Sequence, residues 1–159
     1  GLGPEVARYQ GWESCSESEG RTFVDEQSSA PLFARGSWSQ IAVEARESEV
    51  HIGDLALRIT ARDPRQAELG FTFARSHLGR GLATEAVSAL LDHSFAKLEL
   101  HRIFAIADDR NERAIALLER VGMRREAHFR EAEWFKGAWV SDVLYAVLES
   151  ERPRAGAGG

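Results

Sequence analysis

The feature that most restricts the fold is a change of hydrophobic period in the middle of the chain. Leu69, Phe71 and Phe73 alternate with Gly70 and Thr72, the period of two that marks a strand. From Ala83 onward the apolar positions are Ala83, Ala86, Val87, Leu90, Leu91, Phe95 and Leu98, spaced as on one face of a helix. His101 to Ala107 is then a short apolar run, which predicts a strand covered on both faces. Strand, helix and strand in that order imply a crossover, and a crossover within one sheet makes its two strands parallel. Between the first strand and the helix lies Gly79-Arg80-Gly81. Glycines there let the backbone come close to a ligand, and the unpaired N–H groups of a helix's first turn favour an anion. Alone, such a turn is common punctuation and names no ligand.

The flanking segments supply the rest of a layered protein. Trp38 to Arg46 and Val50 to Thr60 alternate as two antiparallel strands about a Glu47-Ser48-Glu49 turn. A second helix is predicted to open at Asp109 to Asn111, keep Ala114, Leu117, Leu118 and Val121 on one face, and stop at Gly122. Arg124 to Phe135 and Trp139 to Leu148 read as closing strands that turn at Lys136-Gly137, the last of them covered on both sides. Gly1 to about Ala34 reads as short helices, Glu5 to Tyr9 and then an acidic run closed by Pro31. The sum is an α/β (α+β) fold with a mixed sheet. Its expected organisation is a single domain over residues 1–150 and a disordered, Gly/Ala/Pro-rich tail over 151–159.

Composition removes several classes of function. The 159 residues suit one domain, and no apolar run is long enough for a membrane helix. Cys15 is the single cysteine, so no disulfide can close within the chain, and no His/Cys spacing suggests a metal; a reducing cytoplasm is the expected setting. A net charge of −5 argues against coating nucleic acid and leans toward a cationic partner.

Three segments, in order, resemble the GNAT superfamily of N-acetyltransferases, and within it the RimJ/RimL type. HLGRGLATEA is similar to that type's pyrophosphate loop. ELHRIFAIADDRNERAIALLERVGM is similar to its strand, asparagine, helix and Gly-hydrophobic closure, and RREAHFREAEWFKGAWVSDVLYAVL to its last two strands. The resemblance spans roughly residues 36 to 149. It implies a mostly antiparallel twisted sheet flanked by helices, with a central parallel pair splayed around the acyl-CoA site. Relatives begin with a strand and a helix that precede the part PEVARYQGW resembles, so the domain is expected to be N-terminally short, its first strand absent and a sheet edge left open.

The resemblance also implies a chemistry. Acetyl-CoA would be the co-substrate, with no metal, its diphosphate on main-chain N–H groups of Gly79, Arg80, Gly81, Leu82, Ala83 and Thr84. The strand at Phe71, Phe73 and Ala74 would pair with the pantetheine arm as an added strand, an N–H near Phe73 polarising the thioester carbonyl. Asn111 would contact the cofactor arm, or serve only as a helix cap. The acceptor would be a small cationic amine or a protein N-terminus, with no nucleic acid and no membrane as partner. An alkylamine of pKa ~10 is protonated at neutral pH, so a base is needed. Glu133 falls where the pattern carries its catalytic carboxylate, with Glu131, expected on the same strand face, as a fallback. The acids relatives use toward the leaving thiolate are missing, because Ala114 and Leu118 stand at those positions; Tyr145 is a remoter donor, more plausibly structural. That loss motivates an alternative, a non-catalytic acyl-CoA-binding or regulatory protein of the same fold; a different nucleotide on the glycine turn is a third. Trp134, Phe135 and Trp139 are expected in the core or at a homodimer interface.

Overall fold

The computed structural model describes residues 7–15, 20–26, 33–45, 50–74 and 81–153. Among the described residues, eight strands form one sheet, β1 (Ala7–Cys15), β2 (Gly20–Glu26), β3 (Trp38–Ala45), β4 (His51–Ile59), β5 (Gln66–Phe73), β6 (Arg102–Asp108), β7 (Arg124–Phe135) and β8 (Ala138–Leu148). Their order across the sheet is β1-β2-β3-β4-β5-β6-β8-β7. Every neighbouring pair is antiparallel except β5 and β6. Helix α1 (Leu82–Lys97) is the crossover between that parallel pair, and α2 (Glu112–Arg120) joins β6 to β7. The mixed, mostly antiparallel α/β architecture is the one the sequence predicts.

The sheet is dry on one face. Leu55, Leu57 and Ile59 of β4, Ala67 and Leu69 of β5, Ile103 and Ala105 of β6, and Val143, Tyr145 and Val147 of β8 share one buried cluster with Val87, Leu90 and Leu91 of α1 and Leu117 and Leu118 of α2. Each such aliphatic side chain contributes about 1.5–3 kcal/mol of burial, enough for this face to fix the register of every strand that carries it. The other face carries Trp38, Gln40 and Ile106, all exposed. The full covering expected for β6 is therefore wrong, Ile106 being 46% exposed, because the described helices lie over one side of that strand only.

Three further expectations are corrected. The chain's start forms the antiparallel strands β1 and β2 in place of short helices, and β2 pairs with β3 from Gly20↔Ala45 to Asp25↔Gln40. Thr22, Phe23 and Val24 are β-branched and aromatic, and pairing satisfies the β3 edge that helices would have left bare. The open edge expected at the start of the sheet is carried by β1, which among the described residues pairs only with β2. The predicted tail also starts too early. Glu149–Glu151 form a 3₁₀ turn, and Arg152 is held by Asp92 (2.8 Å), Ser88 Oγ (2.8 Å) and the Val121 carbonyl (2.7 Å). Finally, Trp134, Phe135 and Trp139 are not core: they are 61%, 52% and 57% exposed, on a hairpin that outruns the layer of helices.

Candidate active site

The site begins where β5 and β6 part. They pair only from Gln66↔Arg102 to Glu68↔Phe104. Beyond that, β5 stays with β4 as far as Phe73, and β6 with β8 as far as Asp108. Two hydrogen bonds give the direction of the β5 main chain. Thr60 N–H donates to the Gln66 carbonyl (2.9 Å), and Ala74 N–H donates to the Ile52 carbonyl (3.1 Å). Even-numbered residues thus address β4. Peptide groups alternate in direction along a strand, and the β4–β5 register is unshifted, so Phe71 and Phe73 aim their N–H and C=O groups into the widening gap. Ala74, by contrast, has its N–H committed to β4.

Phe73 is held by a glycine the sequence reading passed over. Gly53 lies opposite it, and a Cβ there would fall 2.3 Å from Phe73 Cδ1 and 2.6 Å from the Thr72 carbonyl oxygen. Only a residue without a side chain lets that ring lie across β4. The Phe71 and Phe73 rings are tilted neighbours at 6.2 Å.

Eight residues after β5, α1 starts with Gly81 as its N-cap, at φ +83°, a conformation that favours glycine. Glu85 N–H donates to the Gly81 carbonyl (2.9 Å), so the N–H groups of Leu82, Ala83 and Thr84 precede the helical ladder and have no acceptor within it. Ala83 is buried, anchoring this turn to the core. Arg120 Nη1 donates to Thr84 Oγ1 (3.2 Å), bringing a cation from the end of α2 to the first turn of α1. That residue was not foreseen, since only folding brings 84 and 120 together. Gly79 and Arg80 lie outside the described residues.

Asn111 is the N-cap of α2, its Oδ1 accepting from Ala114 N–H (3.1 Å). The capping reading of this residue is therefore observed, and its Nδ2 donors are left for other partners.

Across the gap stands a carboxylate group. Asp142 of β8 is in register with Asp108 of β6 and Phe129 of β7. Asp108 is held down to about 2, chiefly because the Arg110 side chain and backbone donate to it. Asp142 is pushed up to about 6, first by desolvation, then by its hydrogen bond with Glu133 and by repulsion from Glu133, Asp108 and Asp109. Asp109 itself receives His128 Nε2 at 3.0 Å. Asp142, beside the Glu133 carboxylate, thus keeps its proton toward neutral pH. Asp142 lies in the last of the three segments that carry the resemblance, where sequence alone assigns it no role.

A bulge delivers Glu133 to this pair. The β7–β8 register jumps between Phe129↔Asp142 and Glu133↔Val140, with Glu131 at φ +45° and its N–H on Ser141 Oγ (2.8 Å). Glu131 lies inside the bulge, off the regular alternation, so the expectation that it shares a ladder face with Glu133 does not hold. Lys136 and Gly137, at φ +49° and +80°, make the predicted hairpin turn. Ala114 and Leu118 are buried and carry no proton. Tyr145 is core, its hydroxyl donating to Glu119 Oε2 (2.8 Å) and accepting from Arg125 Nε (3.3 Å), in line with a structural role. Among the described residues, no group of His, Cys, Asp and Glu is arranged to hold a metal, and no helix is long and apolar enough to cross a membrane.

A parallel pair that opens beside a glycine-capped helix offers unpaired peptide groups to an extended guest and a helix N-terminus to an anion. The sequence profile of the family described as "Acetyltransferase (GNAT) domain" matches residues 2–124, and the chain belongs to that family. It is similar to an uncharacterized N-acetyltransferase, p20, of Bacillus licheniformis, with 28% identity over 93% of this chain and 83% of that one. A spermidine N(1)-acetyltransferase of Vibrio cholerae is 31% identical over 55% of this chain and 50% of its own. Among solved structures, a GNAT-family acetyltransferase from Bacillus anthracis superposes with a TM-score of 0.65 at 27% identity, covering 70% of this chain and 67% of that one. The protein is an acetyl-CoA-dependent N-acyltransferase.

Proposed function

We propose that the protein moves the acetyl group of acetyl-CoA to a primary amine by direct attack, within the RimJ/RimL-type branch of its family. The observation that carries this reading is the pair of outward-facing peptide groups at Phe71 and Phe73 where β6 has turned away. The pantetheine arm takes the place of the missing strand, and Phe73 N–H donates to the thioester carbonyl as negative charge develops on its oxygen. The diphosphate lies at the first turn of α1, on the N–H groups of residues 79 to 84, with Arg80 and Arg120 as cations. Asn111 Nδ2 contacts the cofactor arm.

Glu133 takes the proton from the incoming ammonium, directly or through a water. The neutral nitrogen attacks the thioester carbon, gives up its second proton to water, and the C–S bond breaks as coenzyme A leaves as thiolate and the amide forms. With Ala114 and Leu118 at the helix positions, water supplies its proton; a thiol of pKa about 8.5 is an adequate leaving group. The acceptor is a small cationic amine or a protein N-terminus. The acidic balance of the chain and the likeness to spermidine acetyltransferases support the former. The same reading sets the enzyme in the cytoplasm as a homodimer, with the exposed Trp134–Trp139 pair as the surface a second copy covers.

Thiol release from acetyl-CoA, followed against a panel of amines and N-terminal peptides, tests the reading. Amine-dependent release is the expected result. Binding of acetyl-CoA with no release for any amine would leave the acyl-CoA-binding alternative in its place.

A further inference from the structure

A cavity of about 420 Å³ lies on the face of the sheet that no described helix covers, lined by Trp38, Gln40, Asp54, Ala56, Gly70 and Thr72. Register explains its shape. Gln40, Ala56 and Gly70 form one cross-strand row and Asp54 and Thr72 the next, while Trp38 stands at the head beside Arg58. The floor is low because Ala56 and Gly70 are small. Trp38, 40% exposed, makes an aromatic wall. The rim holds an amide, a hydroxyl and one carboxylate, Asp54, which His51 Nε2 approaches at 3.0 Å. Arg58 stacks on Trp38 with 4.7 Å to the ring centroid, and its charge is met by Glu68 at 2.7 Å. Among the described residues, Asp54 is the one acid in the lining.

The cavity borders the reaction site. Phe71 and Thr72 belong to its lining. Glu68 and Phe104 are register partners on this face, and alternation carries that face to Gly70 and Thr72 on β5 and to Ile106 and Asp108 on β6. Asp108 is in turn partnered by Asp142. The cavity and the Glu133–Asp142 pair therefore flank the same side of the gap, one on each bank.

We propose that this cavity is the subsite for a second cationic group of the acceptor, which makes the acceptor an aliphatic diamine or polyamine. The remote ammonium lies between Asp54 and the Trp38 ring, and the methylene chain crosses the Ala56–Gly70 floor. The reacting nitrogen then reaches past Phe71 and Thr72 to the thioester. This rests on the acetyl transfer proposed above, which deepens it from an amine to an amine of defined length and charge.

The test compares 1,4-diaminobutane with 1-aminobutane as acceptors for the full chain, by KM and kcat from thiol release, together with calorimetric binding of 1,4-diaminobutane alone. Asp54→Asn is expected to raise KM and Kd for the diamine about tenfold while leaving KM for the monoamine unchanged. Gly70→Val has room, since a Cβ at Gly70 meets Ala56 Cβ and Trp38 only at 3.9 Å. It is expected to raise KM for both amines by filling the floor, with acetyl-CoA affinity and unfolding midpoint preserved. The subsite is overturned if Asp54→Asn leaves diamine KM and Kd at the unsubstituted values, if it weakens both amines alike, or if the unsubstituted chain binds no diamine. Asp54-dependent diamine binding without turnover would keep the subsite and remove the acetyl-transfer reading; turnover of both amines indifferent to Asp54 would do the reverse.

Discussion

The two halves of β5 have similar neighbours on one flank and different ones on the other. Along its whole length the strand is paired with β4. From Gln66 to Glu68 its far side is occupied by β6, and from Leu69 to Phe73 it is not. The first half is a structural element and the second a template, because a strand with unmet peptide groups beside a buried core takes any extended chain that matches it. In this fold the site arises from a pairing interrupted, and the side chains around it decide what the borrowed strand does.

The largest effect should come from the chemistry across the gap. Glu133→Gln is expected to lower kcat by about two to four orders of magnitude with acetyl-CoA affinity unchanged. A kcat within a fewfold of the unsubstituted enzyme would remove Glu133 from the mechanism and leave the template half acting alone.

Next is the anchor of the template at α1. Gly81 and Gly122 both have positive φ, +83° and +94°, and open space where a Cβ would stand. Valine at either position should cost about 1–2 kcal/mol of stability from the left-handed backbone. Only Gly81→Val should also weaken acetyl-CoA binding, by about tenfold or more, measured by calorimetry. Equal affinities in the two variants would dissociate the turn from the diphosphate.

Asp142 gives a smaller, pH-dependent effect. Its folded value of about 6 exceeds the ~3.9 of an unfolded aspartate, so the native state binds the proton more tightly. The stability this contributes is fully present below about pH 4 and is lost as pH rises through about 6. Asp142→Asn should therefore stabilise the protein at pH 8 by about 1 kcal/mol, a figure discounted for partial exposure, and the gain should vanish by pH 4. Urea unfolding at the two pH values checks it; a gain that persists at pH 4 would argue against the ionisation of Asp142 as its source. The smallest change is Asn111→Ala, which should cost about 1 kcal/mol through its lost cap, while Asn111→Asp keeps that stability. If acetyl-CoA affinity falls equally in both, Nδ2 contacts the cofactor.

What could be read in advance was what local periodicity encodes. The alternation of Leu69 to Phe73, the helical spacing after Ala83 and the cap at Asn111 each depend on a few neighbours in sequence, and each was legible to within three residues, the strand starting at Gln66. The N-terminal strands were not, because a short segment of mixed polarity takes its conformation from the edge it pairs with, here β3, which lies later in the chain. The site divides the same way. Gly81 and Glu133 are visible as a loop and a motif, whereas Gly53 beneath Phe73, Arg120 on Thr84 and the coupling of Asp142 to Glu133 join residues about 9 to 36 positions apart, which only the registers of the finished sheet and its helices bring together.

Amide hydrogen exchange, resolved by residue with and without saturating coenzyme A, addresses the template half of β5 most directly. The free protein should show Phe71 and Phe73 exchanging faster than Thr72 and Ala74, and coenzyme A should slow Phe71 and Phe73 while leaving Thr72, Ala74 and Gln66 to Glu68 unaltered. Rates at Phe71 and Phe73 that are already slow in the free protein, or that do not change on saturation, would contradict the account.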